Sequence, residues 1–359
     1  VFFLAAFLFF HLGRTCRTLR TKCFSYLACG MSLGASLASK EIAATFILVA
    51  AAYEFFFLRR RYPCRKIETA IVFGALSIII VAASVVFLRS TPLIPPKNFT
   101  AIDRLISQPR VIIYYLSVAF FPRRDAIAVD YDFAPSKGMF SPAGTMASIF
   151  IVIGLLLWSM RKAASGVTSG GISWFGLVWF FSTSAIEASF LRLELAFLHR
   201  TYLPSVLLPL LGADIHTASS RRARLILLVA TFAAVAALMA MTRAESTSWR
   251  SPEAVWLDTL KSSPSKPRVL LNLGVIKENS GRVAEAKELY HRAEELAPQI
   301  YSGHLFIGVV CLNEKDIECA NREISIAKSL APNDYLVNYN YGRLLIELGR
   351  IPDSLEFSL

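Results

Sequence analysis

The chain carries no GxxxxGKS/T or HExxH pattern, so P-loop ATPase and zinc-protease chemistry have no support in it. Its six cysteines include no CxxC pair and no accompanying histidine set, so no metal site is implied. Acidic residues are scarce, 26 against 38 basic ones, which leaves a net charge of +12. That balance would suit nucleic acid. Much of the Lys and Arg, however, stands in short clusters beside apolar runs, as membrane orientation requires. No nucleic-acid partner is therefore expected. The apolar spans also show no internal duplication and no charge ladder, which argues against a transporter.

What the chain has in excess is apolar sequence. It is 55% hydrophobic, whereas soluble domains average about 45–50%, and nearly all the long runs fall within residues 1–242. Spanning a bilayer takes about 20 largely apolar residues. Candidate runs are 1–13, 24–39, 42–58, 67–88, 143–160, 172–190, 200–213 and 225–242. A further stretch, 106–121, has Pro109 and Pro122 near its ends. Basic clusters stand at Arg14, Arg17, Arg20 and Lys22, at Arg59–Arg61, Arg65 and Lys66, at Arg161 and Lys162, and at Arg221, Arg222 and Arg224. All four fall on one side if 106–121 is interfacial or re-entrant, as the positive-inside rule demands. The outer side then receives residues 39–41, the loop 89–142, the loop 187–202 and everything after 242.

Residues 267–359 show a 34-residue period, the length of a tetratricopeptide unit. Leu270, Leu273, Gly274, Ala286, Tyr290, Ala293 and Pro298 are answered by Ile307, Gly308, Ala320, Ile324, Ala327 and Pro332, then by Tyr341 and Gly342. Small residues sit where paired helices approach closely, and large ones fill the seam. The expected fold is all-α: a polytopic transmembrane domain (1–242), a linker with a degenerate half repeat around Trp256 and Pro264 (243–266), then a tetratricopeptide solenoid. Its units are 267–300, 301–334 and a truncated 335–359. Stacked repeats make a concave face, here lined by Asn272, Val275, Asn279, Phe306, Val309, Asn313, Tyr339, Asn340 and Arg343. That face either binds an extended peptide or glycan, or is solvated with no ligand. Cys311 and Cys319 lie on neighbouring helices of one repeat. They can oxidise outside the cytoplasm, and the favoured reading is two separate small core residues.

Three sets of residues are candidates for chemistry. Lys40 and Glu41, between two spans, form a salt bridge or part of a site, since ionisable groups at membrane depth are costly. Arg192, His199, Arg200 and Tyr202, with Glu187 and Glu194, crowd one loop. Arg200 beside His199 offers donors for a phosphate, or these residues anchor helix ends. Asp130 and Asp132 flank Tyr131. Such a pair can act as a base or hold a divalent cation, though nothing else in the sequence supports a cation, and in a Pro- and Gly-rich loop it also forms turns.

The chain resembles the membrane proteins that join a GT-C-type glycosyltransferase core to C-terminal tetratricopeptide repeats. These include the transmembrane and tetratricopeptide repeat-containing O-mannosyltransferases and their bacterial relatives. The matching stretches are Ser39-Lys40-Glu41, Gln108-Pro109-Arg110, Asp130-Tyr131-Asp132, and His199-Arg200-Thr201-Tyr202-Leu203-Pro204-Ser205. Trp256, Pro264 and Asn272-Leu273-Gly274 follow in the same order. The resemblance implies sugar transfer from a polyprenyl-phosphate carrier to a protein acceptor on the outer face, with no bound cofactor. His199, Arg200, Arg192 and Tyr202 would hold the carrier phosphate, and Lys40 and Glu41 would shape the site. The family's acidic base is expected in a loop before residue 1, because the chain begins at Val1 without Met and stops inside a repeat, as a fragment does. Phe197-Leu198 stand where relatives often carry an acidic residue. The alternative is a non-enzymatic membrane scaffold whose repeats recruit partners for envelope assembly. Either way the expected location is a multi-pass membrane, bacterial inner membrane or endoplasmic reticulum, with the repeats outside the cytoplasm.

Overall fold

The computed structural model describes residues 1–62, 66–90, 99–122, 129–131, 133–165, 171–189, 194–212 and 220–350. Among these residues the chain is all-helical and forms no strand. It divides into two compact units, one of Val1–Pro122 with Ala134–Ala234, the other of Arg123–Phe133 with Val235–Leu359.

In the first unit, α1 (Phe2–Thr15) and α2 (Leu19–Ser39) form a hairpin, and Thr18 caps α2 by accepting from the Thr21 amide. After Lys40 the chain turns through a 3-10 stretch (Glu41–Thr45) into α3 (Phe46–Tyr53) and a π-helical turn (Glu54–Leu58). Then come α4 (Lys66–Ser90), α5 (Ala101–Phe120), α6 (Gly144–Ala163) and α7 (Gly171–Ser184). Their core is aromatic. Trp179 is fully buried and meets the edges of Phe3 at 5.6 Å and Phe7 at 5.2 Å between ring centroids. Phe46 packs in the same way on Phe3 and Phe10. Such edge-to-face pairs add about 0.5–1.5 kcal/mol each beyond the area they bury. Arg14 is buried with them and forks onto Glu54, Nε donating to Oε2 at 2.7 Å and Nη2 to Oε1 at 2.5 Å.

Among the described residues, three helical segments are long and apolar enough to cross a membrane: Glu41–Leu58, Gly144–Ala163 and Arg221–Glu245. The last, α8 (Arg221–Glu245), buries none of its residues against protein. Its 25 residues at about 1.5 Å rise exceed the hydrocarbon thickness of about 30 Å. Residues 106–121 lie in α5, which runs on through Pro109. The expected span at 200–213 needs correcting. That stretch is a chain of short turns, Leu198–Thr201, Tyr202–Ser205 and Leu208–Gly212. Pro204 and Pro209 lack the amide hydrogens that a continuous helix would use there.

The second unit is built from helix pairs. α9 (Pro252–Ser262) precedes α10 (Pro267–Asn279), α11 (Val283–Leu296), α12 (Tyr301–Asn313), α13 (Ile317–Leu330) and α14 (Tyr335–Glu347). α10, α12 and α14 start at 267, 301 and 335, a spacing of 34, and α11 and α13 keep the same spacing. The backbone repeats too. The turns after α10, α12 and α14 each place one residue in the left-handed region: Gly281 at φ 77°, Lys315 at 65° and Gly349 at 72°. Within each pair the helices touch at glycine. A Cβ on Gly274 would stand 2.3 Å from the Tyr290 ring, and one on Gly308 would stand 2.6 Å from the Ile324 side chain and 3.1 Å from its amide nitrogen. Cys311 and Cys319 are joined by a disulfide, their Cα atoms 5.8 Å apart, so the expectation of two separate core residues is corrected. The short turn between α12 and α13 brings them within bridging reach.

Candidate functional site

Two sequence-separated sets of charged residues meet in the first unit. Lys40 caps α2 with an extended backbone, which carries its Nζ to 3.6 Å from Glu187 Oε1. Glu187 stands just past the end of α7 and is buried. Arg200 approaches from the turn at 198–201, its Nε 3.6 Å from Glu187 Oε2. Arg200 is further held by Nη1 donating to the Glu194 carbonyl at 2.6 Å, and by the Phe197 ring 5.2 Å beneath its guanidinium.

These ion pairs are loose. Charge-assisted hydrogen bonds run at about 2.7–2.9 Å, as in Arg14–Glu54, whereas both contacts to Glu187 are 3.6 Å. Arg14–Glu54 has the geometry of a structural clamp. Lys40, Glu187 and Arg200 have the geometry of groups held near one another and still able to take a ligand.

Helix α5 supplies the floor. Its buried residues include Arg104, Ser107, Gln108, Val111, Ile112 and Tyr115, so a face with several polar residues turns inward. Arg104 is fully buried and donates through Nη1 to the Glu194 carbonyl at 3.0 Å and through Nη2 to the Glu187 carbonyl. Tyr115 accepts from the Phe197 amide at 2.7 Å. Gln108, Ile112, Tyr115, Ser184, Glu187 and Arg200 line a small cleft. Gln108 Nε2 is buried there and has no hydrogen-bond partner among the described residues. Buried polar groups of this kind cost about 1–3 kcal/mol unless something satisfies them.

Glu41 opens the 3-10 turn beside Lys40. His199 is exposed, its ring 5.2 Å from that of Phe197, and Tyr202 is 79% exposed. Arg192 and Asp132 lie outside the described residues. Asp130 belongs to the second unit, where its carbonyl accepts from Ser263 Oγ at 2.8 Å and its carboxylate faces Arg268 at 3.9 Å. On the helix pairs, Asn272 donates to the Arg268 carbonyl, and Phe306 packs against Tyr290 with the rings tilted, 5.4 Å between centroids. Asn279 ends α10. Arg343 bridges Asn313 and Asn340, and Asn340 is only 4% exposed. Tyr339 is half exposed and stacks on Tyr335.

Arg104 and Tyr115 are not among the residues that sequence pattern alone singles out. Their signal was present: residues 104, 107, 108, 111 and 115 follow helical spacing. A polar face on a helix ordinarily faces water, so spacing alone does not mark this one as turned inward.

The fold and this cluster define an all-helical protein with membrane-compatible helices and a buried polar site fed by four separate segments. No protein-family model matches the chain, and no curated protein matches it.

Proposed function

We propose that the chain is a GT-C-like membrane glycosyltransferase that moves a sugar from a polyprenyl-phosphate carrier to a protein acceptor outside the cytoplasm. The second unit, read as a tetratricopeptide solenoid, presents the acceptor. The observation that carries the reading is the meeting of Lys40, Glu187 and Arg200 at contacts too long for tight pairing. A phosphate oxygen offers Arg200 the short, planar contact that Glu187 does not supply. The stacking on Phe197 and the bond to the Glu194 carbonyl hold the guanidinium in place beforehand, which lowers the ordering cost of binding. The three long apolar segments support a membrane setting, and the Cys311–Cys319 bond supports an oxidising compartment for the helix pairs.

The experiment is transfer of labelled sugar from polyprenyl-phosphate donors to envelope proteins in membranes holding the chain. Arg200→Ala should lower transfer on the order of 100-fold or more, with membrane insertion unchanged. Arg200→Lys, which keeps charge without the planar fork, should recover part of it. Unchanged transfer in Arg200→Ala would overturn the assignment of the phosphate site. No transfer from any donor, with partners still co-purifying on the helix pairs, would favour a membrane scaffold.

A further inference from the structure

A second polar cluster lies within the helix pairs, apart from the proposed transfer site. His304 on α12 is 5% exposed and Glu323 on α13 is 6% exposed. Glu294 approaches from α11. The ligand-capable atoms of the three residues all lie within 4.8 Å of one another.

Hydrogen-bond chemistry fixes the histidine. Its Nε2 stands 3.0 Å from the Pro298 carbonyl, which can only accept, so Nε2 carries a hydrogen. Nδ1 then faces Glu323 Oε2 at 2.9 Å and Glu294 Oε1 at 3.5 Å. In the neutral ring that nitrogen is a lone pair aimed at two carboxylates. Only a positive occupant resolves the arrangement. A proton on Nδ1 would satisfy Glu323, but 3.5 Å is too long for a charge-assisted bond to Glu294. A metal cation would take all three donors.

The surroundings match that occupant. Zinc bonds of about 2.0–2.2 Å to nitrogen and oxygen put tetrahedral ligand atoms about 3.3–3.6 Å apart. Nδ1 stands 2.9 and 3.5 Å from the two carboxylate oxygens, and all three atoms lie within 4.8 Å, so small side-chain shifts would seat the ion. The second nitrogen of His304 is anchored on a backbone carbonyl, as metal-binding histidines usually are. The other oxygen of Glu323 accepts from Arg322 Nε at 2.8 Å, which leaves Oε2 to point inward. We infer that Glu294, His304 and Glu323 form a binding site for a divalent transition metal of the zinc class, tying α11, α12 and α13 together. Three protein ligands leave a fourth position for water or for a partner's side chain.

The test uses the full chain in detergent, stripped with EDTA and kept oxidised so that Cys311 and Cys319 present no thiolate. Equilibrium dialysis against zinc chloride, with the metal counted by mass spectrometry, should give one equivalent that His304→Gln lacks. Glu294→Gln removes the most exposed ligand and should leave the fold intact. It should weaken binding by at least about 10-fold. Zinc should also raise hydrogen-exchange protection in α11–α13 of the wild type and not of Glu294→Gln. No bound zinc, or equal zinc and equal protection in wild type and Glu294→Gln, would overturn the site and leave a protonated His304 as the occupant.

Discussion

Arg104 donates both arms of its guanidinium to main-chain carbonyls, those of Glu187 and Glu194, from a fully buried position on α5. The contact does not touch the Glu187 carboxylate. It fixes the backbone from which that carboxylate and the Arg200 partner carbonyl project.

Replacing Arg104 by Met keeps the stem and removes the fork. The Glu194 carbonyl keeps its bond from Arg200, but the Glu187 carbonyl loses the Arg104 donor, a loss of about 1–3 kcal/mol, so the variant should melt earlier in detergent. If Arg104 positions the site, donor affinity should fall as well, while Arg104→Lys restores one arm and part of the stability. Wild-type melting in Arg104→Met would remove the positioning role.

Arg14 and Glu54 offer a contrast. Their bidentate pair has side chains 3% and 10% exposed, and both residues are buried. Breaking a buried pair by removing one partner leaves an uncompensated charge and costs about 3–5 kcal/mol. Glu54→Gln should therefore lower yield and melting temperature sharply, whereas Lys40→Gln, at a looser and more exposed contact, should barely change either. Comparable losses in the two variants would erase the distinction between clamp and site.

How much of this was legible in the sequence depends on range. Lys40, Glu187 and Arg200 stood out because charge is conspicuous in apolar sequence, but nothing local could say that 40 and 187 meet. The repeat was legible because its period is local, and Gly274 and Gly308 occupy the contacts that their size suggested. The apolar content of 200–213 reads as a span, while Pro204 and Pro209 break the helix that a span would need. Cys311 and Cys319 could not be decided from spacing alone, because their approach depends on the turn that relates α12 to α13.

That turn carries a prediction of its own. Lys315 takes the left-handed conformation that glycine takes at 281 and 349. A side chain there costs roughly 1–2 kcal/mol, and glycine returns about half of that through its unfolded-state freedom. Lys315→Gly should thus stabilise α12 and α13 by about 0.5–1 kcal/mol, despite losing the exposed pair with Glu347. Gly308→Ala should do the opposite by about 1–3 kcal/mol, since Ile324 and its backbone would have to shift. Hydrogen exchange in the full chain reads both. Destabilisation by Lys315→Gly would contradict the backbone argument.

Glu253 on α9 reaches Lys277 at 2.9 Å and Arg282 at 2.7 Å, tying α9 to the first helix pair. The hydrogen bond from Arg282, followed by that from Lys277, holds its carboxyl down to about 2 from an ordinary 4.5. A carboxylate whose pKa is lower folded than unfolded contributes stability that is fully present above its unfolded value. That contribution is lost as pH falls from about 4.5 through about 2. Exchange protection of α9 should therefore be flat from neutral pH down to about 5 and then decline. Glu253→Gln should lower the neutral plateau and remove this part of the decline. An identical pH profile in wild type and Glu253→Gln would mean that the tie between α9 and its neighbours rests on apolar packing alone.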